Sequence, residues 1–420
     1  MHALKAKRAL LALGLALLLA GVLFQRFHGS EPRTEALLEG ETSFPKDFDD
    51  SLISKADLAR AIGDSGRMSD LPHEVILNLE GDRKKAIVQY SFDPTLQAQI
   101  ENLFNSYRPD YGAFVALHAE SGRVLSMVSY TEKANAKKSG ENFALRATFP
   151  SASIFKVVTA AAAIAEKKFT ADTVLSFNGG NHTLYKSNVL KGGVNRWTRH
   201  ITLKEAFGKS VNTVFGRIGA FTIGAEGLRE YAGRFGFNRK IAADLPVQEG
   251  RAEIPDDSWG LAESASGFTR HTTMSPLQGA LIAAAVANDG VMMEPYAVES
   301  VHDSDGELLY RAVPKMEKRT LDLKTASEIR ELMRQTVASG TSRKSFRGFF
   351  KGALADLEVG GKTGSLTGTD PRGKYDWFVG YAGYGKDRIA IAALTISEKT
   401  WRVKSSHVAR QAIQTYFSGH

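Results

Sequence analysis

Three short stretches of this 420-residue chain hold groups that can do acyl chemistry together. In Phe149-Pro150-Ser151-Ala152-Ser153-Ile154-Phe155-Lys156, a hydroxyl and an amine stand three residues apart, just before the apolar run Val157–Ala165. On a helix that spacing puts Ser153 and Lys156 on one face, about one turn apart. A serine becomes a nucleophile when a base can reach its proton, and a lysine with a lowered pKa can be that base. Ser210-Val211-Asn212 interrupts a second helical stretch with two polar side chains. Gly360-Gly361-Lys362-Thr363-Gly364-Ser365 reads as a strand whose glycines, Gly364 among them, let another backbone lie close.

Each group has a role it can fill. N–H groups at a helix N-terminus favour negative charge on an oxygen at Ser153. Lys156 acts as a base only when neutral, and both burial and a second cation at Lys362 lower its pKa. Ser210 can relay a proton towards a leaving amine, and Asn212 can hold Lys156 or a substrate amide. The plainer reading of Ser210 and Asn212 is a capping pair at a helix break. Lys362, Thr363 and Ser365 offer a cation and hydroxyls to a carboxylate. The N–H groups of Ser153 and Ser365 can form an oxyanion hole.

Other chemistries fit poorly. A phosphate loop needs glycine at position 356, where Asp356 stands. There is no G-x-S-x-G elbow and no H-E-x-x-H. His118, His200 and His271 do not cluster and read as surface or satisfied polar residues. No metal or cofactor is expected.

The elements that must position these groups follow from period and punctuation. Ser54–Ile62 is a weak helix. Glu74–Leu79 and Ala86–Tyr90 flank a Gly-Asp turn as a hairpin. Asp93-Pro94 starts a helix with the stripe Leu96, Ile100, Leu103 and Phe104. Strands follow at Ala113–His118 and Val124–Ser129. Residues 157–350 read as mainly helical, with Leu203–Ile218 broken near Ser210, then Leu228–Phe235, Pro276–Asn288 and Ala326–Val337. Val359–Ser365, Trp377–Tyr381 and Ile389–Ile396 return to strands before a last helix near 404–417. The order predicts an α/β (α+β) fold: an antiparallel five-stranded sheet flanked by helices, with an all-helical lobe inserted and the site at the seam.

Composition is that of a globular protein, 43% hydrophobic and 24% charged. The net charge of +8 suits an anionic surface, but the cations are spread and no basic block carries interleaved aromatics, so no nucleic-acid partner is expected. With no cysteine, disulfides and Cys-ligated metal are excluded. Lys5, Lys7 and Arg8 precede an apolar run from Ala9 to Phe24. That pattern puts residues 1–8 in the cytoplasm, makes 9–27 an uncleaved single-pass signal-anchor in the inner membrane, and exports the rest to the periplasmic side. Residues 28–91 read as linker and a small membrane-proximal module, and 92–420 as the catalytic domain.

An isolated S-x-x-K occurs about twice by chance in a chain this long. Together with Ser210-Val211-Asn212 and Lys362-Thr363-Gly364 in this order, it is the signature of penicillin-binding proteins and class A β-lactamases. Over residues 92–418 the chain resembles the transpeptidase domain of penicillin-binding proteins. Phe92–Gln97, the Ala116–Ser129 hairpin, Phe235-Gly236-Phe237, Thr273–Gln278, Ala287–Val291, Gly340-Thr341-Ser342 and Trp377–Tyr381 are similar to recurrent stretches of that family. Pro150-Ser151-Ala152-Ser153 departs from the common Pro-Gly-Ser. Ser151 is a decoy, with Ile154 rather than a lysine three residues on. Ser365 replaces the usual threonine. No glycosyltransferase domain precedes the match, which suggests a monofunctional protein.

The resemblance implies acyl transfer on peptidoglycan stem peptides. Ser153 would attack the D-Ala-D-Ala amide, release D-Ala and pass the acyl group to a neighbouring amine, and β-lactams would acylate it. Cell-wall synthesis proteins would be partners. A D,D-carboxypeptidase shares the same motifs. A class D-like β-lactamase or β-lactam sensor fits less well, because that class has valine where Asn212 stands.

Overall fold

The computed structural model describes residues 51–79, 81–191 and 193–418. The expected cytoplasmic tail, the anchor and linker residues 28–50 lie outside them. Among the described residues, no helix is long and apolar enough to cross a membrane.

The chain runs through α1 (Lys55–Asp64), β1 (Glu74–Leu79), β2 (Asp82–Tyr90), α2 (Pro94–Tyr107), β3 (Tyr111–His118) and β4 (Val124–Thr131). Next come α3 (Lys156–Lys167), α4 (Leu203–Gly208), α5 (Asn212–Ile218), α6 (Gly224–Arg234), α7 (Ser258–Ser266) and α8 (Pro276–Ala287). β5 (Val298–Asp303), β6 (Leu308–Arg311), α9 (Leu323–Ala338), β7 (Glu358–Thr369), β8 (Arg372–Tyr384), β9 (Asp387–Ser397) and α10 (Ser405–Ser418) complete it. The Ser54 hydroxyl accepts the Asp57 N–H to start α1, and the Asp93 carboxylate accepts the Leu96 N–H to start α2.

The central sheet is antiparallel in the order β7-β8-β9-β3-β4. Alternation sorts its side chains to two faces. Phe114, Ala116, Phe378 and Ile391 meet Leu96, Ile100 and Phe104 of α2 and Val408 and Ala412 of α10. Ala113, Val115, Trp377, Val379 and Ala392 join the larger core on the other face. There α8 is buried along its whole length. Its small residues let it approach closely: a Cβ on Gly279 would stand 3.1 Å from Val379 and 3.2 Å from Ala392.

One expectation needs correction. The inserted lobe is not all-helical. It contains a hairpin (Val174–Phe177 with Arg199–Thr202), a three-stranded sheet built from Phe149–Pro150, Arg251–Ala252 and Thr272–Met274, and a pair formed by Val291–Met293 and Met316–Arg319. Strands of two to four residues are too short to show a period, so only their pairing reveals them. Residues 74–90 form the expected hairpin of β1 with β2, and β2 also pairs with β5, and β5 with β6, giving a four-stranded sheet β1-β2-β5-β6. Buried Asp244 ties it to the lobe by accepting the N–H groups of Ala297 and Val298.

Candidate active site

Ser153 lies in a 3₁₀ turn, Ala152–Phe155, and α3 begins only at Lys156. The sequence predicted an ordinary helix start. The tighter turn improves the geometry, because side chains three apart eclipse one another in a 3₁₀ turn. Trp377 donates its indole N–H to Pro150 O at 2.9 Å, which ties the turn to β8. Ser151 is fully buried and its hydroxyl has no partner among the described residues. Ser153, by contrast, is partly open to solvent.

Lys156 is fully buried, and its Nζ lies 2.8 Å from Ser153 Oγ and 2.8 Å from Asn212 Oδ1. It also donates to the carbonyl of Ser266, the last residue of α7. The Asn212 amide is oriented by its Nδ2, which donates to His182 O at 2.9 Å and turns Oδ1 towards the lysine. Asn212 Oδ1 and the Ser266 carbonyl can only accept. A neutral amine has two N–H bonds and one lone pair. With both N–H bonds taken by these acceptors, the lone pair is left for the Ser153 hydroxyl. Burial holds the Lys156 pKa well below the usual lysine range, and the charge of Lys362 lowers it further.

Ser210 has a left-handed backbone, φ +54°, at the break between α4 and α5. A serine held there is strained in the way common at functional sites. Its Oγ accepts from Lys362 Nζ at 3.0 Å. Lys362, on β7, is fully buried, and burial lowers its pKa to about 7. Its other bond goes to Thr363 O at 2.8 Å. The expectation that Lys362 offers its cation directly to a carboxylate is therefore modified. A ligand would meet the Thr363 and Ser365 side chains first and feel the lysine through Ser210. Ser210 and Asn212 are not a capping pair: neither side chain caps α5.

β7 is an edge strand of the sheet. Gly364 presses it against the serine turn, where a Cβ would stand 3.3 Å from Ala152 Cβ, Ile154 Cγ1 and Ser151 O. The next residue, Ser365, is exposed beside that turn. The eight predicted residues Ser153, Lys156, Ser210, Asn212, Lys362, Thr363, Gly364 and Ser365 thus meet where the sheet edge joins the lobe.

Sequence reasoning assigned no role to four neighbours. Ser266 acts through its carbonyl and has no side-chain signature. Gly267 ends α7 with φ +67°, and a Cβ there would stand 1.9 Å from Ala152 O. Its signal was a glycine just past a helix end. The His182 imidazole is held below its ordinary pKa by partial burial and by Lys156 and Lys362. Thr341 shares a hydroxyl hydrogen bond with Thr363. The three histidines set aside earlier are bonded elsewhere: His118 to Ser121, His200 to Ser176 and His271 to Glu253.

A buried, low-pKa lysine on a serine hydroxyl, beside a Ser-x-Asn break and a Lys-Thr-Gly strand, is an arrangement that can carry acyl transfer through a serine ester. The sequence model of the penicillin binding protein transpeptidase domain matches residues 112–416, and the chain belongs to that family. Among curated relatives, Peptidoglycan D,D-transpeptidase PbpA of Mycolicibacterium smegmatis is 30% identical over 316 residues, covering 68% of this chain and 62% of the relative. Stage V sporulation protein D of Bacillus subtilis is 25% identical over 299 residues, 68% of this chain and 44% of that protein. The chain therefore spans less than two thirds of the length of these relatives. The crystal structure of PBPA from Mycobacterium tuberculosis superposes with a TM-score of 0.64 at 26% identity, covering 80% of this chain and 82% of that one. The imipenem acyl-enzyme complex of penicillin-binding protein A from the same organism gives 0.63 at 26% identity, covering 79% of each chain.

Proposed function

We propose that the protein is a peptidoglycan D,D-transpeptidase that cross-links stem peptides through an acyl-enzyme on Ser153 and binds penicillin. The observation that carries this reading is the Ser153–Lys156 pair, 2.8 Å apart, with both lysine N–H bonds directed at obligate acceptors. The relatives named D,D-transpeptidases, and the M. tuberculosis protein that forms an imipenem acyl-enzyme, support it.

In acylation, Ser153 Oγ attacks the carbonyl of the D-Ala-D-Ala amide and passes its proton to neutral Lys156. The N–H groups of Ser153 and Ser365 hold the oxyanion. As the C–N bond breaks, Ser210 gives its proton to the leaving amine and regains one from the Lys362 ammonium. Thr363 and Ser365 hold the substrate carboxylate. D-Ala departs, Lys156 holds one proton more and Lys362 one fewer. In the second half the acceptor amine loses a proton to Lys362 through Ser210. Lys156 then returns its proton to Ser153 as the ester breaks. A β-lactam enters the first half and leaves a stable ester on Ser153.

Residues 9–27 anchor the chain in the cytoplasmic membrane with the catalytic domain outside, where its substrate lies. Cell-wall synthesis proteins are its partners. Retention of the full chain in the membrane fraction, and its release on deletion of 9–27, checks the anchoring.

A fluorescent penicillin should label the wild type and Ser151→Ala but not Ser153→Ala. An unlabelled wild type refutes the proposal. With stem-peptide substrate, cross-linked dimers are expected. A digest holding only trimmed monomers would make the enzyme a D,D-carboxypeptidase instead.

A further inference from the structure

The second half-reaction releases a proton that the groups above do not take. The attacking amine comes from water, where a primary amine of the lysine type has a pKa of about 10.4 and is an ammonium at neutral pH. To become an amide nitrogen it must lose two protons. Ser210 passes one of them to Lys362, and Lys156 is already protonated in the acyl-enzyme. The other proton needs a third acceptor that is neutral, close to Ser210 and in contact with solvent.

His182 meets those conditions. It lies in the connection between the strands Val174–Phe177 and Arg199–Thr202, and its backbone is fixed against the site. Asn181 O accepts the Asn212 N–H at 2.8 Å, and His182 O accepts from Asn212 Nδ2 at 2.9 Å. Arg199 donates to Gly179 O on one side of it, and Leu184 on the other side is buried with Val189 and Ala262. The ring faces the backbone of Ser210 and hydrogen-bonds to it. A neutral imidazole that gives its N–H to a carbonyl keeps a lone pair on the other nitrogen. The residue stays open to solvent. The charged groups that act on the ring are Lys156 on α3 and Lys362 on β7, and with partial burial they favour its neutral form. Lys209, next to Ser210, is turned to Glu205.

The leaving nitrogen and the attacking nitrogen pass through the same place, because the second half-reaction retraces the first. That place is beside Ser210 Oγ, and so beside His182. We propose that His182 is the base that takes the first proton of the acceptor ammonium. One N–H bond breaks, its electron pair stays on the nitrogen, and the proton moves to the ring. The neutral amine attacks the ester carbonyl, its second proton goes through Ser210 to Lys362, and the imidazolium gives its proton to water. The charge on Lys156 disfavours the ammonium and eases the first step. Water as acceptor brings only the one proton that Ser210 and Lys362 take, and has no use for His182. The residue therefore serves aminolysis over hydrolysis. The inference rests on the transpeptidase reading and adds what decides between an amine and water.

The test gives the full chain a donor peptide ending in D-Ala-D-Ala with one of two acceptors. Nα-acetyl-lysine is an ammonium at neutral pH, and hydroxylamine is already a free base there. The readout is the ratio of aminolysed to hydrolysed donor, which is set after acylation. Lys156 and Lys362 serve both branches, so their titration cancels in the ratio. His182→Phe keeps a ring and His182→Gln keeps a donor for Ser210. Neither can take the proton, and both leave the carbonyl that orients Asn212. With acetyl-lysine at neutral pH the ratio should fall about 100-fold in both variants, the low end of what a positioned base contributes. In the variants it should then rise about tenfold per pH unit from about pH 7 to 9, because only free amine from bulk solution reacts, while the wild type changes by less than about threefold. With hydroxylamine, wild type and variants should agree within about threefold, since that acceptor has no extra proton to lose. A wild-type ratio and pH profile in His182→Gln would overturn the inference, because the residue would then act by position. Equal losses with both acceptors would overturn it too, as a distorted site gives. A wild type that penicillin acylates but that aminolyses neither acceptor overturns the transpeptidase reading itself. Aminolysis that ignores both substitutions overturns only the role of His182.

Discussion

Asn212→Asp tests the proton logic of the site with a change of one atom type. Asn212 Oδ1 lies 2.8 Å from Lys156 Nζ, and the amide nitrogen faces His182 O. A carboxylate in that place favours the ammonium form of Lys156. At an effective dielectric of 20, the attraction at this distance is about 6 kcal/mol. Desolvation of the new carboxylate and its repulsion from His182 O offset part of it, so the Lys156 pKa should rise by about 1–3 units. Even a proton shared onto the carboxyl would sit against the lysine lone pair. The base is then occupied in either arrangement.

Penicillin acylation at pH 7 is expected to fall, by up to about tenfold for each unit by which the raised pKa passes above 7, since only the neutral amine is a base. The rate should recover as pH rises, by up to tenfold per unit, because the neutral form returns above the raised pKa. Stopped-flow acylation from pH 6 to 10 reads both effects, with thermal unfolding as the control for folding. A variant that is slower but keeps the wild-type pH profile would refute the reasoning. Asn212 would then act through position alone, and neutral Lys156 would not be the base.

Lys362 gives a prediction about stability. Its folded pKa is about 7 and that of an unfolded lysine about 10.4, so between those values only the unfolded chain binds the proton. Wild-type stability should therefore rise with pH relative to Lys362→Met, by about 2–3 kcal/mol from pH 7 to 9, as denaturant melts would show. A constant difference would mean that Lys362 titrates normally. Gly267→Ala puts a Cβ against Ala152 O in a left-handed conformation, so acylation should slow by more than tenfold, with about 1–3 kcal/mol lost. Gly306→Ala, equally left-handed at φ +89° but with no atom within 4 Å of its Cβ, should cost about 1–2 kcal/mol and leave acylation unchanged. Equal acylation losses in both would trace the effect to strain rather than to the serine turn.

Side-chain chemistry was legible because it has a residue type. Ser153, Lys156, Asn212 and Lys362 announce themselves by spacing, and β7, β8 and β9 by apolar strand patterns. The carbonyl of Ser266 does not, since any residue supplies one, and only the fold aims it at Lys156. The hairpin at 74–90 could be read locally. Its partner β5, Val298–Asp303, mixes polar and apolar residues and pairs from more than two hundred positions away. The 3₁₀ turn at Ser153 was hidden for a related reason: it depends on packing with β7 and Gly267 that local propensity does not encode.

The strand order also bears on how the chain is made. β9, the centre of the five-stranded sheet, is the last strand synthesised, and β3 must wait for it. At ordinary rates of chain elongation that wait is on the order of tens of seconds. Until residue 397 has emerged, β3 keeps an open edge, and so does β2 until β5 arrives. A chain stopped just short of β9 would thus leave β3 and β8 each with one open edge. Until β9 and β5 arrive, the newborn chain depends on whatever shields those edges.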